Sequence, residues 1–119
     1  MLKLMVVDDN ISDLEAIQQI VNSISFFEWV GGFANPHEAL SEMMRKPPDI
    51  VITTVELPEM NGLSLTRKMQ EVLPWVHVII AARNSNFATE AYEVGARGYL
   101  IKPFRQESLL KLIGNVFSF

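Results

Sequence analysis

The sequence contains no cysteine, which excludes disulfide bonds, thiolate metal sites, a cysteine nucleophile and thiol redox chemistry. It also has no apolar run near the roughly 18 residues that a membrane-spanning helix needs, and the N-terminal apolar stretch already ends at Asp8. We therefore expect no signal peptide and no membrane anchor within these residues, and a cytoplasmic location.

Basic residues are in the minority. There are 10 Lys and Arg residues against 14 Asp and Glu residues, and the formal net charge is −4. A domain with this acidic balance is poorly suited to bind nucleic acid through its overall field.

The chain is long enough for one domain and too short for two. It has 119 residues, of which 49% are hydrophobic and 20% are charged, a balance that argues against disorder. Linkers, internal repeats and low-complexity segments are not evident, so we expect a single domain over residues 1–119.

Short apolar runs alternate five times with segments of helical periodicity. The runs predict strands over residues 2–7, 26–33, 49–54, 76–82 and 98–101. The periodic segments predict helices over residues 11–24, 36–45, 63–73, 87–94 and 109–116. Strands and helices in this order imply right-handed crossovers, and hence an α/β fold whose parallel sheet is covered on both faces.

Polar residues follow several of the predicted strands, at the sheet edge where ligands of open α/β folds bind. Asp8 and Asp9 follow the first strand, Thr54 ends the third and Lys102 follows the fifth. Adjacent carboxylates without nearby His or Cys suit Mg²⁺, although they also fit the start of the following helix. Lys102 has two interpretations as well, a ligand for an anion such as a phosphoryl oxygen or a lysine in a surface loop.

Other catalytic motifs are absent from the sequence. It has neither a Gly-x-Ser-x-Gly elbow nor the glycine patterns of dinucleotide and P-loop sites. His37 and His77 are predicted to lie away from the strand ends, in solvated structural positions.

Four segments resemble those of the response-regulator receiver domains, in the same order and with the same spacing. The segments are Val6-Val7-Asp8-Asp9-Asn10, Pro48-Asp49-Ile50-Val51-Ile52 leading to Leu57-Pro58-Glu59-Met60-Asn61-Gly62, Gly95-Ala96, and Tyr99-Leu100-Ile101-Lys102-Pro103-Phe104. The resemblance implies a flavodoxin-like (βα)5 fold, with a five-stranded parallel sheet in the order 2-1-3-4-5 and helices on both faces.

The resemblance also implies roles for individual residues. In that family a histidine kinase passes a phosphoryl group to an aspartate at the end of the third strand. On this pattern Asp8, Asp9 and the backbone carbonyl of Glu56 fall on the Mg²⁺ ligands. Lys102 falls on the lysine that contacts the phosphoryl group, and Tyr99 falls on the aromatic residue that reports the switch.

Two positions depart from the pattern. Thr54 stands where the family has its phosphoacceptor aspartate, and Ala81 stands where it has a Ser or Thr, although spacing from Gly95 would place Ile80 there. A threonine hydroxyl needs a base before it can attack. With one carboxylate fewer, we expect Mg²⁺ to bind more weakly and Lys102 to reach toward Asp8 or Asp9.

The departures predict a non-enzymatic signalling module that is not phosphorylated at the usual position. It would act by protein–protein contacts through the fourth helix, fifth strand and fifth helix. The expected partners are a histidine kinase or another signalling protein and an output domain beyond Phe119, with neither nucleic acid nor membrane bound by this domain. The alternatives are a working phosphoacceptor that uses Asp49 or Glu56, and a structural module that forms homodimers.

Overall fold

The computed structural model describes residues 1–117, in which strands and helices alternate as the sequence predicts. The strands are β1 (Leu2–Val7), β2 (Phe27–Phe33), β3 (Ile50–Thr53), β4 (His77–Ala82) and β5 (Gly98–Ile101). The helices are α1 (Ile11–Asn22), α2 (Pro36–Arg45), α3 (Gly62–Val72), α4 (Ala88–Glu93) and α5 (Gln106–Phe117). The predicted bounds differ from these by one to three residues at most of the element ends.

The five strands form one parallel sheet in the order β2-β1-β3-β4-β5, which confirms the predicted topology. In the register, Val7 of β1 lies beside Thr53 of β3, and Thr53 lies beside Ile80 of β4. Their carboxyl ends are therefore nearly level, so the residues that follow β1 and β3 emerge side by side at one edge of the sheet.

Each face of the sheet carries its own apolar layer. Residues of α2, α3 and α4 cover one face, around Met43, Leu65 and Met69. Residues of α1 and α5 cover the other, around Ile17, Leu109 and Ile113. Burial on both faces explains why the strands are almost continuously apolar in sequence.

Asparagine side chains start the first three helices. Asn10 accepts a hydrogen bond from the amide of Asp13 at 3.0 Å, and Asn35 and Asn61 cap α2 and α3 in the same way. The prediction for α1 was too long: the helix ends at Asn22, and the hydroxyl of Ser23 donates to the carbonyl of Ile20 at 2.6 Å. Gly95 follows α4 with a φ of +104°, a conformation that glycine adopts readily and that is typical of the residue after a helix.

None of the helices in the part of the chain that the structure describes has the length and apolarity needed to span a bilayer.

Candidate functional site

One face of the sheet changes character along its length, from apolar in the middle to polar at the carboxyl edge. Side chains two residues apart on a strand share a face. The residues of the face covered by α1 and α5 are therefore Leu4, Val6 and Asp8 along β1, Ile50, Ile52 and Thr54 along β3, and Leu100 and Lys102 along β5. Asp8, Thr54 and Lys102 thus meet above a layer of aliphatic side chains, and β3 itself ends one residue before Thr54.

The ammonium group of Lys102 occupies the centre of this polar edge. Its Nζ donates to Asp8 Oδ2 at 2.9 Å, to Asp13 Oδ2 at 2.9 Å and to Thr54 Oγ1 at 3.2 Å. An ammonium has three N–H donors, so three acceptors satisfy it completely. The side chains of Lys102 and Asp8 are only 5% and 2% exposed, which makes this a buried ion pair. The expectation that Lys102 reaches Asp8 or Asp9 is confirmed for Asp8.

Asp13 is the second carboxylate partner of Lys102, and the sequence pattern did not predict it as a site residue. It lies in the first turn of α1 and also accepts two hydrogen bonds from Arg83 NH2, at 3.0 and 2.8 Å. Burial by itself would raise the pKa of Asp13. The hydrogen bonds and positive charges of Lys102 and Arg83 outweigh that effect and hold the pKa below its ordinary value.

Two features of the sequence indicate Asp13 and Arg83 in hindsight. Asp13 lies in the first turn of the helix that begins directly after the Asp8-Asp9 pair, which places its carboxylate near the end of β1. Arg83 directly follows β4, at the same edge of the sheet as the other site residues. Reading charged residues at every strand end and in the first turn of each helix would have found both.

These residues surround an open cavity of about 210 Å³. Its lining includes the predicted Asp8, Asp9, Thr54, Glu56 and Lys102, together with Asn10, Asp13, Ala82, Arg83, Asn84 and Phe87. Asp9 and Glu56 are exposed at its walls. Four carboxylates and two cations therefore share the space, whereas the sequence predicts two carboxylates and one cation.

The arrangement of these donors does not fit a preformed Mg²⁺ site. Hard divalent ions need several oxygen ligands directed at one point. Within residues 1–117, no three Asp, Glu or His side chains stand together in a way that could hold a metal ion. Asp8 instead directs Oδ2 at Lys102 and accepts the amide of Asn10 on Oδ1 at 3.0 Å.

The remaining predicted residues lie on β4 and β5. Ala81 is 1% exposed and packs in the apolar layer beneath the site, so its neighbour Ala82, not Ala81 itself, lines the cavity. Ile80, the alternative assignment, is fully buried in the opposite layer. Tyr99 lies on β5, and its hydroxyl donates to the carbonyl of Asn84 at 2.7 Å. Its partial burial raises the pKa of the Tyr99 phenol.

The backbone of Thr54 is fixed independently of its side chain. Its amide donates to the carbonyl of Val7 at 3.0 Å, and its carbonyl accepts from the Thr53 hydroxyl at 3.0 Å. The start of α3 packs directly on this segment, because a Cβ on Gly62 would lie 1.9 Å from the Thr54 carbonyl oxygen. Only glycine allows that approach.

Both histidines lie apart from the site, as the sequence predicts. His37 faces Glu59, with its Nε2 3.4 Å from Oε2. His77 begins β4 and contacts the ring of Phe117 with centroids 4.4 Å apart. Burial, followed by the charge of Arg97, lowers the pKa of His77.

Comparison with known proteins connects this site to a family. The family model of the response regulator receiver domain matches residues 4–114. The transcriptional regulatory protein YesN of Bacillus subtilis is 31% identical over 99% of the chain, which covers 33% of YesN. The sensory transduction protein LytT of Bacillus anthracis is 27% identical over 95% of the chain, which covers 46% of LytT. The chain thus spans about a third to a half of the length of these curated relatives.

Solved structures agree with the sequence comparison. A two-component response regulator of the LuxR family from Aurantimonas sp. superposes with a TM-score of 0.89 at 26% identity, covering 99% of this chain and 86% of that one. A LuxR-family DNA-binding response regulator from Staphylococcus aureus gives 0.88 at 22% identity, covering 98% of each chain, and this likeness bears on the fold alone. The parallel sheet in the order 2-1-3-4-5 is the flavodoxin-like receiver fold. This chain belongs to the response regulator receiver domain family.

Proposed function

We propose that residues 1–119 form a receiver domain that signals by protein–protein contact without phosphorylation at the usual position. Response regulator receiver domains are signalling modules of two-component systems, which interact with histidine kinases and bind Mg²⁺ at the phosphorylation site. In this chain a threonine stands at the acceptor position, and an ion-pair network occupies its surroundings.

The saturation of Lys102 is the observation that carries the proposal. Its three N–H donors already meet Asp8, Asp13 and Thr54. A phosphoryl oxygen could gain Lys102 as a donor only after one of these bonds is broken. Thr54 accepts one of these bonds, and its hydroxyl would have to lose a proton before it could act as a nucleophile.

The same network weakens Mg²⁺ binding in this proposal. Lys102 places a positive charge 2.9 Å from the Asp8 oxygen that a divalent cation would need. The acceptor position, Thr54, provides a neutral hydroxyl in place of a third carboxylate. A site with fewer charged ligands binds hard cations more weakly. Mg²⁺ would have to displace a fully hydrogen-bonded ammonium.

The surface formed by α4, β5 and α5 is the proposed contact face. Tyr92 of α4 is 53% exposed and Ile101 of β5 is 45% exposed, so both side chains are available on this surface for contact with a partner. Tyr99 lies on the same strand as Ile101. We propose that this face meets a histidine kinase or another signalling protein, and that an output domain follows Phe119.

The test is incubation of the protein with acetyl phosphate and Mg²⁺, followed by intact-mass measurement. The expected result is no phosphoryl adduct on the wild-type chain, because position 54 carries a neutral hydroxyl and no carboxylate nucleophile. The matched variant is Thr54→Asp, which restores a carboxylate at a fixed backbone position and should gain Mg²⁺ affinity. A base-labile acyl phosphate on any residue of the wild-type chain contradicts the proposal.

Two alternative functions, a phosphoacceptor that uses another carboxylate and a structural dimerisation module, can be distinguished from the proposed one. Asp49 is a poor substitute acceptor, since its Oδ2 accepts the amide of Lys3 at 2.7 Å, at the amino-terminal end of β3. Glu56 lines the cavity and is the remaining candidate, so peptide mapping of any adduct should target it first. A purely structural dimerisation module would show concentration-dependent light scattering that responds to neither Mg²⁺ nor acetyl phosphate.

A further inference from the structure

Two charged residues, Asp13 and Arg83, connect the polar edge of the sheet to the loop that binds Tyr99. Asp13 of α1 binds Lys102 through Oδ2 at 2.9 Å and binds Arg83 through both carboxylate oxygens. Arg83 is the first residue after β4 and immediately precedes Asn84, whose carbonyl accepts the Tyr99 hydroxyl at 2.7 Å. One carboxylate therefore links the site to the loop that holds Tyr99.

These side-chain contacts, together with the backbone, link α1, the loop after β4 and the end of β5 in a closed ring of interactions. Tyr99 and Lys102 lie three residues apart at the end of β5, one bound to the loop and the other bound to Asp13. The backbone closes the remaining gap, because the Lys102 amide donates to the Ala82 carbonyl at 2.7 Å. A displacement of the residues after β4 would therefore perturb the ion pair of Arg83, the hydrogen bond of Tyr99, or both.

The residues after β4 have few other attachments to the site. At the end of β4 itself, Ala81 supplies no hydroxyl that could bind a group in the cavity, and it packs into the apolar layer. Asn84 accepts the Asn86 amide on Oδ1 at 2.9 Å, but that bond is internal to the loop. The bidentate contact with Asp13 is thus the side-chain anchor that ties residues 83–87 to α1.

We infer that the Asp13–Arg83 ion pair positions the Asn84 carbonyl and so sets the orientation of Tyr99 on the α4–β5 surface. Arg83 is in this sense a positioning residue that acts through the loop and not through a ligand. The inference rests on the proposed function for its significance, since a surface held by internal charges needs no phosphoryl group to define it.

Arg83→Gln is the variant that tests the inference, because it removes the charge on Arg83 and leaves Asp13 bound to Lys102. The readouts are the ring NMR signals of Tyr99 and the amide hydrogen exchange of residues 84–87. We expect the Tyr99 signals to shift or broaden and the protection of the loop to fall by up to about fivefold, the upper end for a partly exposed ion pair. Tyr92, the other tyrosine, serves as an internal reference.

Three controls separate positioning from a general loss of structure. Arg45→Gln breaks a comparable Arg–carboxylate pair with Glu42 on α2 and should leave Tyr99 unchanged. Arg83→Lys keeps the charge and should restore much of the wild-type spectrum. Raising NaCl from low concentration to 1 M should move wild-type Tyr99 toward the Arg83→Gln spectrum, because salt screens exposed pairs. This titration remains a test even if Arg83→Gln fails to fold.

Unchanged Tyr99 signals and loop exchange in Arg83→Gln overturn the inference, as does an equal change in Arg45→Gln. A spectrum of Arg83→Lys that matches Arg83→Gln also overturns it, since charge would then not be the cause. None of these experiments uses a phosphodonor. Failure here therefore leaves the phosphorylation result standing, and an acyl phosphate on the wild-type chain would contradict the proposed function whatever Tyr99 does.

Discussion

The sheet face covered by α1 and α5 differs in character between its middle and its carboxyl end. In the middle, Leu4, Ile50 and Ile52 are fully buried among other aliphatic side chains. Further along the same strands, two residues after Val6 and Ile52, Asp8 and Thr54 are also buried, but they meet Lys102. Strand geometry gives both regions the same kind of position, so the difference between them comes from the side chains alone.

The two regions stabilise the fold in different ways. Burying an aliphatic side chain contributes about 1.5–3 kcal/mol, with little dependence on the orientation of its neighbours. A buried ion pair has to recover a desolvation penalty of several kcal/mol, and it does so only when its hydrogen bonds are complete. Every buried side-chain nitrogen and oxygen within the described residues has a hydrogen-bond partner. The aliphatic region around Leu4, Ile50 and Ile52 therefore contributes mainly to stability. The ionic region, formed by Lys102 with its partners Asp8, Asp13 and Thr54, mainly fixes geometry.

The largest expected effect is in the aliphatic region. Ile52→Ala should lower the free energy of unfolding by about 4 kcal/mol, because a fully buried side chain is replaced by a cavity. Urea denaturation measures this change. Met44→Ala on the exposed side of α2 is the control, and its effect should stay under about 0.5 kcal/mol. Equal effects of the two variants would contradict the assignment of the core.

A smaller effect is expected when the cation of the ionic region is removed. Lys102→Met keeps the side-chain length but leaves Asp8 and Asp13 without their cationic partner. This should lower the free energy of unfolding by about 2–3 kcal/mol near neutral pH. The adjoining cavity gives water access and limits the loss. Mg²⁺ should bind this variant more tightly than the wild-type chain in calorimetric titrations and raise its Tm.

The Asp8→Asn/Lys102→Met double variant is the control for that result. It should be less destabilised than Lys102→Met, because no unpaired carboxylate then remains at position 8. Mg²⁺ affinity that is the same in Lys102→Met and in the wild-type chain would show that Lys102 does not compete with a cation.

A third prediction uses pH to test whether Asp13 stabilises the fold through its charge. Asp13→Asn should lower the free energy of unfolding by about 1–2 kcal/mol at neutral pH, since charge-assisted hydrogen bonds to Lys102 and Arg83 are weakened. The pKa of Asp13 is lowered in the folded chain. Its contribution is therefore complete above the unfolded value of about 3.9 and is lost as the pH falls through the folded pKa.

The difference between Asp13→Asn and the wild-type chain should accordingly shrink below about pH 4. Urea denaturation at a series of pH values measures it. A difference that stays constant into the acid range would show that Asp13 contributes through packing and not through its charge.

The smallest effect is expected for an ion pair outside both regions. Arg45 and Glu42 lie on α2 with side chains 63% and 29% exposed and approach to 2.6 Å. Arg45→Gln should change the free energy of unfolding by less than about 0.5 kcal/mol. A loss as large as that of Asp13→Asn would mean that burial is not what distinguishes the ionic region.

Most of the fold was predictable from local patterns. The β3 segment Ile50–Thr53 and the asparagine caps at Asn10 and Asn35 each have one dominant physical cause, aliphatic burial or helix capping. The strand order was expected from the family resemblance and is confirmed. The end of α1 was predicted less well, because Ile24 continues the apolar spacing although the helix has already ended.

The site was predictable only in part. Asp8, Thr54 and Lys102 follow from strand parity, which acts within each strand and can be read from sequence. The contacts of Asp13 join residues 89 and 70 positions apart, and such pairings depend on how α1 packs against two separate loops. Strand parity also distinguishes Asp8, which follows Leu4 and Val6 onto the buried face, from Asp9, which is exposed, so this choice could have been made from the sequence.

The tight packing at Gly62 bears on which changes the segment at residue 54 can tolerate. The main chain at residue 54 is held by β1, by Thr53 and by the bare Cα of Gly62. The side chain at 54 is not part of that backbone support, although its hydroxyl accepts a hydrogen bond from Lys102. Substitution of the side chain at 54 should therefore alter the ionic network at the cavity and leave the main chain around it in place.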